Sequence, residues 1–174
     1  GFICGICSQD YDLEAMYLLG GFGVYSDGKN IRLSTLNKEL RFGSIVDQGL
    51  AFYGGNISYH VKVHVASGKM RLRVPYYRGA CIAVEIDGKR HRDFIICPPY
   101  ELLIDDLENG MHDVAIVLLG LRFNTLGHLH DRNDKDFISS HPMLWRLKDE
   151  SWTDFYHFTE IGIMKKPEIY ILNK

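Results

Sequence analysis

The sequence has no strong excess of either charge. Its 20 Lys and Arg face 22 Asp and Glu, a net charge of -2. No basic stripe is present to neutralise a run of phosphates, so nucleic acid is not an expected partner. No apolar stretch approaches the ~18 residues that span a bilayer as a helix, and no basic leader precedes a short apolar core, so a membrane is not an expected partner either. Proline is scarce, with 5 residues, and no low-complexity linker or repeat divides the chain. Neither a Gly-x-Ser-x-Gly elbow nor a phosphate-cradling glycine loop occurs. Cysteine is limited to Cys4, Cys7, Cys81 and Cys97. Cys4-x-x-Cys7 has the spacing of half a zinc site or a redox pair. A structural zinc site needs four ligands and no second pair follows, whereas residues 8–12 read as a loop rather than the helix a redox motif requires. Cys81 and Cys97 lie in apolar runs and are expected as buried thiols. Together the four favour a reducing, cytoplasmic compartment.

What is abundant is apolar and aromatic. Of 174 residues, 46% are hydrophobic and 12% aromatic, with 10 Tyr and 9 Phe against 2 Trp, enough for a core without covalent staples and weighted toward strand. Leu13 to Val24, the turn Tyr25 to Asn30, and Ile31 to Leu36 read as a hairpin. Ile57 to Val65 alternates apolar and polar, the period of a half-buried strand. Met70 to Val74 alternates again. Cys81 to Ile86 runs into Asp87-Gly88, a two-residue turn signal, and Lys89 to Ile96 is its return strand. Tyr100 to Leu107 is a further short element. The run His112 to Leu121, with Val114 to Leu119 at its centre, suits a central strand buried on both faces. Glu168 to Leu172 is the last strand, with Glu160 to Met164 pairing nearby. Helix is confined to two candidates, Leu13 to Leu19 and residues 148–156. Many short strands separated by Gly, Asn and Asp turns predict an all-β antiparallel β-sandwich of jelly-roll type, one domain over 1–174, with an entry segment and hairpin over 1–40 and the sandwich over 41–174.

Three segments carry a resemblance. Ala83-Val84-Glu85-Ile86-Asp87-Gly88-Lys89 is similar to a strand-and-hairpin element of the sugar-binding domains of family-2-type glycoside hydrolases. Asn109-Gly110-Met111-His112-Asp113-Val114-Ala115-Ile116-Val117 resembles the strand that follows it. Arg122-x-Asn124-x-x-Gly127-x-x-His130 resembles the segment after that strand. Upstream, Glu14 to Val24 and Gln48 to Asn56 look like the module's entry segment in β-galactosidase-like and rhamnosidase-like bacterial hydrolases. The resemblance spans about residues 12–130. It implies a galactose-binding-like fold and a non-catalytic carbohydrate-binding or accessory module. The chain, which opens on Gly1-Phe2-Ile3-Cys4, would be a fragment of a longer glycoside hydrolase, with that enzyme's other domains as partners. No cofactor is implied.

The residues themselves keep several readings open. Paired carboxylates are the mark of a glycosidase centre, but Asp105, Asp106 and Glu108 sit at a turn, where solvation explains them. His128-x-His130 with Asp131 and Asp134 invites a cupin-like metal site, with His141 as a poorly placed further ligand; the simpler alternative is that both imidazoles bond backbone groups at a strand end. Asn56, after two glycines, suits a loop that tolerates left-handed backbone, or a hydrogen bond to sugar. Tyr53 is either core or a platform for the apolar face of a sugar ring. Trp145 and Trp152, among charged neighbours, are candidates for an exposed binding or docking surface. Lys89 to Arg92 reads as a solvated charge run. The candidate carbohydrate contacts are therefore Tyr53, Asn56, Arg122, Asn124, His128, His130, Trp145 and Trp152, with weak affinity for a single sugar. A purely structural role, bracing a catalytic domain, is the main alternative.

Overall fold

A computed structural model describes residues 18–66, 68–132 and 152–172. Eleven strands lie among these residues, with one 3-10 turn at Val46–Gln48 and one helical turn, α1, at Phe123–Leu126. The strands are β1 (Phe22–Ser26), β2 (Ile31–Thr35), β3 (Ile57–Val65), β4 (Met70–Arg73), β5 (Tyr77–Arg78), β6 (Cys81–Ile86), β7 (Lys89–Arg90), β8 (Glu101–Ile104), β9 (Gly110–Leu119), β10 (Gly162–Ile163) and β11 (Glu168–Ile171). Every strand pair is antiparallel.

Two sheets form the sandwich. The larger has the order β3-β9-β6-β7 and the smaller β11-β4-β8. The register explains the core. On β9, Val114, Ile116 and Leu118 oppose Val61, Tyr59 and Ile57 of β3, and Ile86, Val84 and Ile82 of β6. On the facing sheet, Met70 and Leu72 of β4 stand between Ile104 and Leu102 of β8 and Ile171 and Ile169 of β11. Because side chains alternate across a strand, each set shares one face, and the two faces meet in a single buried cluster. Full burial of each aliphatic side chain contributes about 1.5–3 kcal/mol, which makes this cluster the main source of stability. The opposite face of the small sheet is charged. There Arg73 lies between Glu101 and Glu168, and the Arg71 guanidinium sits 4.8 Å from the centre of the Tyr170 ring.

Strand β9 is buried on both faces as its composition predicts. Val114, Ile116 and Leu118 enter the main core, and Ala115 and Val117 form a second small cluster with Ala83. The Asp87-Gly88 turn is also as expected. Both residues have positive φ, 51° and 77°, the requirement of a mirror-image two-residue hairpin turn. Tying it down, Asp87 accepts the Asp113 amide proton at 2.9 Å and faces His112 Nδ1 at 2.7 Å.

Other elements differ in extent. The first hairpin turns over Asp27–Asn30, not from Tyr25, because the Asp27 carboxylate accepts the amides of Lys29 and Asn30 and so closes the turn two residues later. The return strand ends at Arg90; beyond it the His91 amide donates to the Val84 carbonyl at 2.8 Å, and Ile95 bridges to Ile82. Between them the Asp93 amide bonds the His91 ring, a local contact that competes with ladder pairing. Beyond Ile95 the chain leaves the sheet, so Cys97 is exposed instead of buried, and Cys81 is only half-buried. β10 pairs with β5, not with β11, which pairs with β4. Residues 152–156 are not helical; the rest of that candidate, and Leu13 to Tyr17 with Cys4 and Cys7, lie outside the described residues. No described helix is long and apolar enough to cross a membrane.

Candidate functional site

The segment 152–160 is a strap, bent at Asp154 and Phe155, that runs against residues 129–131 and the turn of the first hairpin. Trp152 bridges to Asp131, the Thr153 amide donates to the His130 carbonyl at 2.9 Å, and the His157 amide donates to the Leu129 carbonyl at 2.8 Å. The Tyr156 amide reaches the turn of the first hairpin and donates to the Gly28 carbonyl at 2.6 Å. Lys29 from the same turn donates to Asp154 at 3.0 Å, and this cation holds the Asp154 carboxyl below its ordinary range. An extended chain directs alternate side chains to one side, which places Tyr156, Phe158 and Glu160 together.

Aromatic contacts link the strap to the body. The His130 ring stacks on Trp152, with centres 4.5 Å apart and planes at 21°, and lies 4.3 Å from Tyr156. Tyr156 is parallel to Phe158 at 5.6 Å, and Phe52 meets both edge-on at 5.9 and 5.0 Å. His130 Nδ1 lies 3.0 Å from the Thr153 carbonyl. A carbonyl only accepts, so the proton of a neutral ring resides on Nδ1 and Nε2 is left as an acceptor.

Beside this ladder opens a cleft of about 370 Å³. Tyr25 and Ser26 of β1, Ser44 and Asp47 around the 3-10 turn, and Tyr156, Phe158 and Glu160 of the strap line it. Its size falls within the ~300–1,000 Å³ of small-molecule sites. Tyr25 owes its position to Gly49. That residue has φ of 87°, and a Cβ there would fall 2.8 Å from the Tyr25 ring. Past Tyr25, Ser44 and Asp47 the cleft continues into a second hollow of about 720 Å³ that adds Glu39, Arg41 and Phe42. Asp47 is exposed and, among the described residues, has no ion pair or hydrogen bond. Glu160 has one ion pair, with Arg78 at 3.6 Å. The arrangement offers flat apolar walls and oxygen acceptors at their rim.

The residues expected from sequence divide into groups. His130 and Trp152 belong to the aromatic ladder, and Trp152 keeps 36% of its surface. Tyr53 is 41% exposed but does not line the cleft; its hydroxyl donates to the Asn56 carbonyl at 3.0 Å. The Asn56 side chain accepts the Gly120 amide at 3.3 Å, the loop-bracing role open to it from the start. Arg122 is exposed at the start of α1. Asn124 is buried, not at the surface. It is 1% exposed, its Nδ2 donates to the Thr159 carbonyl at 2.8 Å and its Oδ1 accepts the Thr159 amide at 2.9 Å. The Asn124 side-chain amide thus pairs with both backbone groups of Thr159 and fastens the strap.

His128 is mostly buried, 3.5 Å from Asp131. Among the described residues no group of three or more His, Cys, Asp or Glu side chains is placed to hold a metal ion. Asp134, His141 and Trp145 lie outside the described residues. Asp105, Asp106 and Glu108 are exposed, as a solvated turn requires. Tyr25, Asp47 and Glu160 were not singled out from the sequence. The alternation Tyr156-x-Phe158-x-Glu160 was the one available signal, since in an extended segment it dictates a shared face.

No protein-family model matches the chain, and no curated protein is similar to it in sequence. Among solved structures, a rhamnosidase from Novosphingobium sp. PP1Y is similar to it with a TM-score of 0.47 and 16% identity, over 90% of this chain and 15% of that one. The chain therefore spans about 15% of that enzyme's length, and a likeness at this level says nothing by itself about activity or ligand.

Proposed function

We propose that this domain is a non-catalytic, galactose-binding-like accessory module of a glycoside hydrolase, and that it recognises carbohydrate beside the strap of residues 152–160. The observation that carries the reading is the cleft in which Tyr25, Tyr156 and Phe158 stand beside Ser44, Asp47 and Glu160. A pyranose has an apolar C–H face that packs on aromatic rings and an equatorial belt of hydroxyls that donate to carboxylates. Trp152, exposed and stacked on the His130 ring that meets Tyr156, extends the aromatic surface beyond the cleft. Motifs similar to those of sugar-binding modules in the strands Cys81–Ile86 and Gly110–Leu119 support the same reading. Few ligand atoms can be buried in so open a cleft, so affinity for a monosaccharide is about millimolar.

A bracing role toward the other domains of a parent enzyme is the second reading. Its support is the set of exposed apolar side chains away from the cleft, among them Ile96 at 63%, Met111 at 60% and Leu103 at 50%. Heteronuclear NMR titration with galactose, rhamnose and short plant oligosaccharides separates the two. Saturable shifts at Tyr25, Tyr156 and Phe158, weakened by Trp152→Ala, are the expected result. Their absence at tens of millimolar ligand would leave bracing as the function.

A further inference from the structure

We propose that the cleft is charge-selective: it accepts neutral and amino-bearing sugars and rejects uronates and other acidic glycans. The inference rests on the carbohydrate reading above and adds the chemical class of ligand. Among the described residues, the charged side chains that line the cleft are Asp47 and Glu160, and no Lys or Arg lines it. The neighbouring cations are already engaged, two of them by groups that line the cleft, so that Arg78 offsets Glu160 and Asp47 is left as the uncompensated charge. Arg78 pairs with Glu160 at 3.6 Å, the Arg32 guanidinium lies over the Tyr25 ring at 5.2 Å, and Lys29 is bonded to Asp154 at 3.0 Å. Arg41 lines only the adjoining hollow, together with Glu39 and Asp47.

Asp47 decides the matter. Its carboxylate has no partner among the described residues, so it is free to accept a hydroxyl or to pair with an ammonium group. Against a ligand carboxylate it acts as an uncompensated like charge. The tyrosine faces act in the same direction, because the ring quadrupole attracts cations and disfavours anions. A sugar ring held against Tyr156 and Phe158 would thus meet negative potential where its substituents approach Asp47, whereas at Glu160 the Arg78 guanidinium offsets the charge.

The test is NMR titration of the 174-residue chain at pH 6.5 with glucosamine, glucose and glucuronate, three ligands of one ring and three charges. The expected order is glucosamine tightest and glucuronate weakest, with steps of about fivefold, the worth of one unit charge pair at ~4 Å through water. The steps shrink at 1 M salt while glucose binding does not change, because screening acts on charge alone. Asp47→Asn narrows the order, and Glu160→Gln narrows it further; Asp47 is exposed, so the first variant keeps the fold. Glucuronate binding as tightly as glucose in the same cleft would overturn charge selection and leave the carbohydrate reading standing. Saturable shifts from all three sugars at another surface would overturn the cleft as the site. No saturable shift with any sugar would overturn both.

Discussion

Replacing Asn124 by alanine removes the pair of hydrogen bonds that fastens the strap. Both bonds are short, 2.8 and 2.9 Å, and the side chain that makes them is 1% exposed. Each contributes about 1 kcal/mol net, and a partner left without water costs more. Thr159 is only half-buried, so its amide and carbonyl recover part of their solvation. The expected loss is therefore about 2 kcal/mol, less than two fully orphaned groups would cost. For a domain of this size it lowers Tm by roughly 4–8 °C. The loss should also be local. Hydrogen exchange at the Thr159 amide should accelerate about thirtyfold, the factor equivalent to ~2 kcal/mol, well before the β9 amides respond. Asn124→Asp keeps the acceptor for the Thr159 amide but turns a carboxylate toward the Thr159 carbonyl. At neutral pH it should be the worse of the two, since it buries an unpaired charge. Urea unfolding and residue-resolved exchange measure both effects. An Asn124→Ala protein within 0.5 kcal/mol of the parent, with Thr159 exchange unchanged, would refute the strap as described. The experiment also separates two roles for Asn124: any loss of sugar binding should accompany loosening of Tyr156 and Phe158.

Two further outcomes are expected. His112 is 9% exposed, with Nε2 2.8 Å from the Glu108 carbonyl and Nδ1 2.7 Å from the Asp87 carboxylate. Two acceptors require two N–H donors, which only the imidazolium supplies; the Glu108 carbonyl first and Asp87 second raise its pKa above 6.5, while the His112 bond, then the Asp113 amide, lower that of Asp87 below 3.8. The histidine's contribution is complete below pH 6.5 and disappears as pH rises through its folded value, whereas that of Asp87 is complete above 3.8 and disappears as pH falls. Urea stability should thus decline above pH 6.5 in the parent and less so in His112→Gln; a His112 ring that titrates at or below 6.5 by NMR would contradict this. Gly49→Ala should destabilise the chain by about 1 kcal/mol or more, because φ is positive there, and should displace Tyr25 and weaken sugar binding; unchanged Tyr25 ring resonances would show that the ring does not depend on Gly49.

Much of the sandwich was legible without coordinates. Period-2 alternation located Ile57–Val65 and Met70–Arg73, and the unbroken apolar run located a central strand at Gly110–Leu119, since only burial on both faces allows such a run. Asp87-Gly88 marked the hairpin of β6 and β7 because few residue pairs tolerate two consecutive positive φ values. These are local signals, written in neighbouring residues. The sequence by itself therefore determined the all-β class, most of the strands and the turns between them.

The tertiary structure decided where distant segments meet. That β10 lies against β5 and β11 against β4 depends on how two sheets stack, which no local pattern encodes. Asn124 illustrates the same limit. A polar residue in a motif-like segment invites a ligand role, yet its buried amide bonds both backbone groups of Thr159, 35 residues away, a pairing that no local pattern encodes. The cleft joins a hairpin, a 3-10 turn and the strap, three segments more than a hundred residues apart in sequence at their extremes. Only packing of those segments against one core creates a shared concave surface, and the charge and ring faces that select a ligand exist only once it has formed.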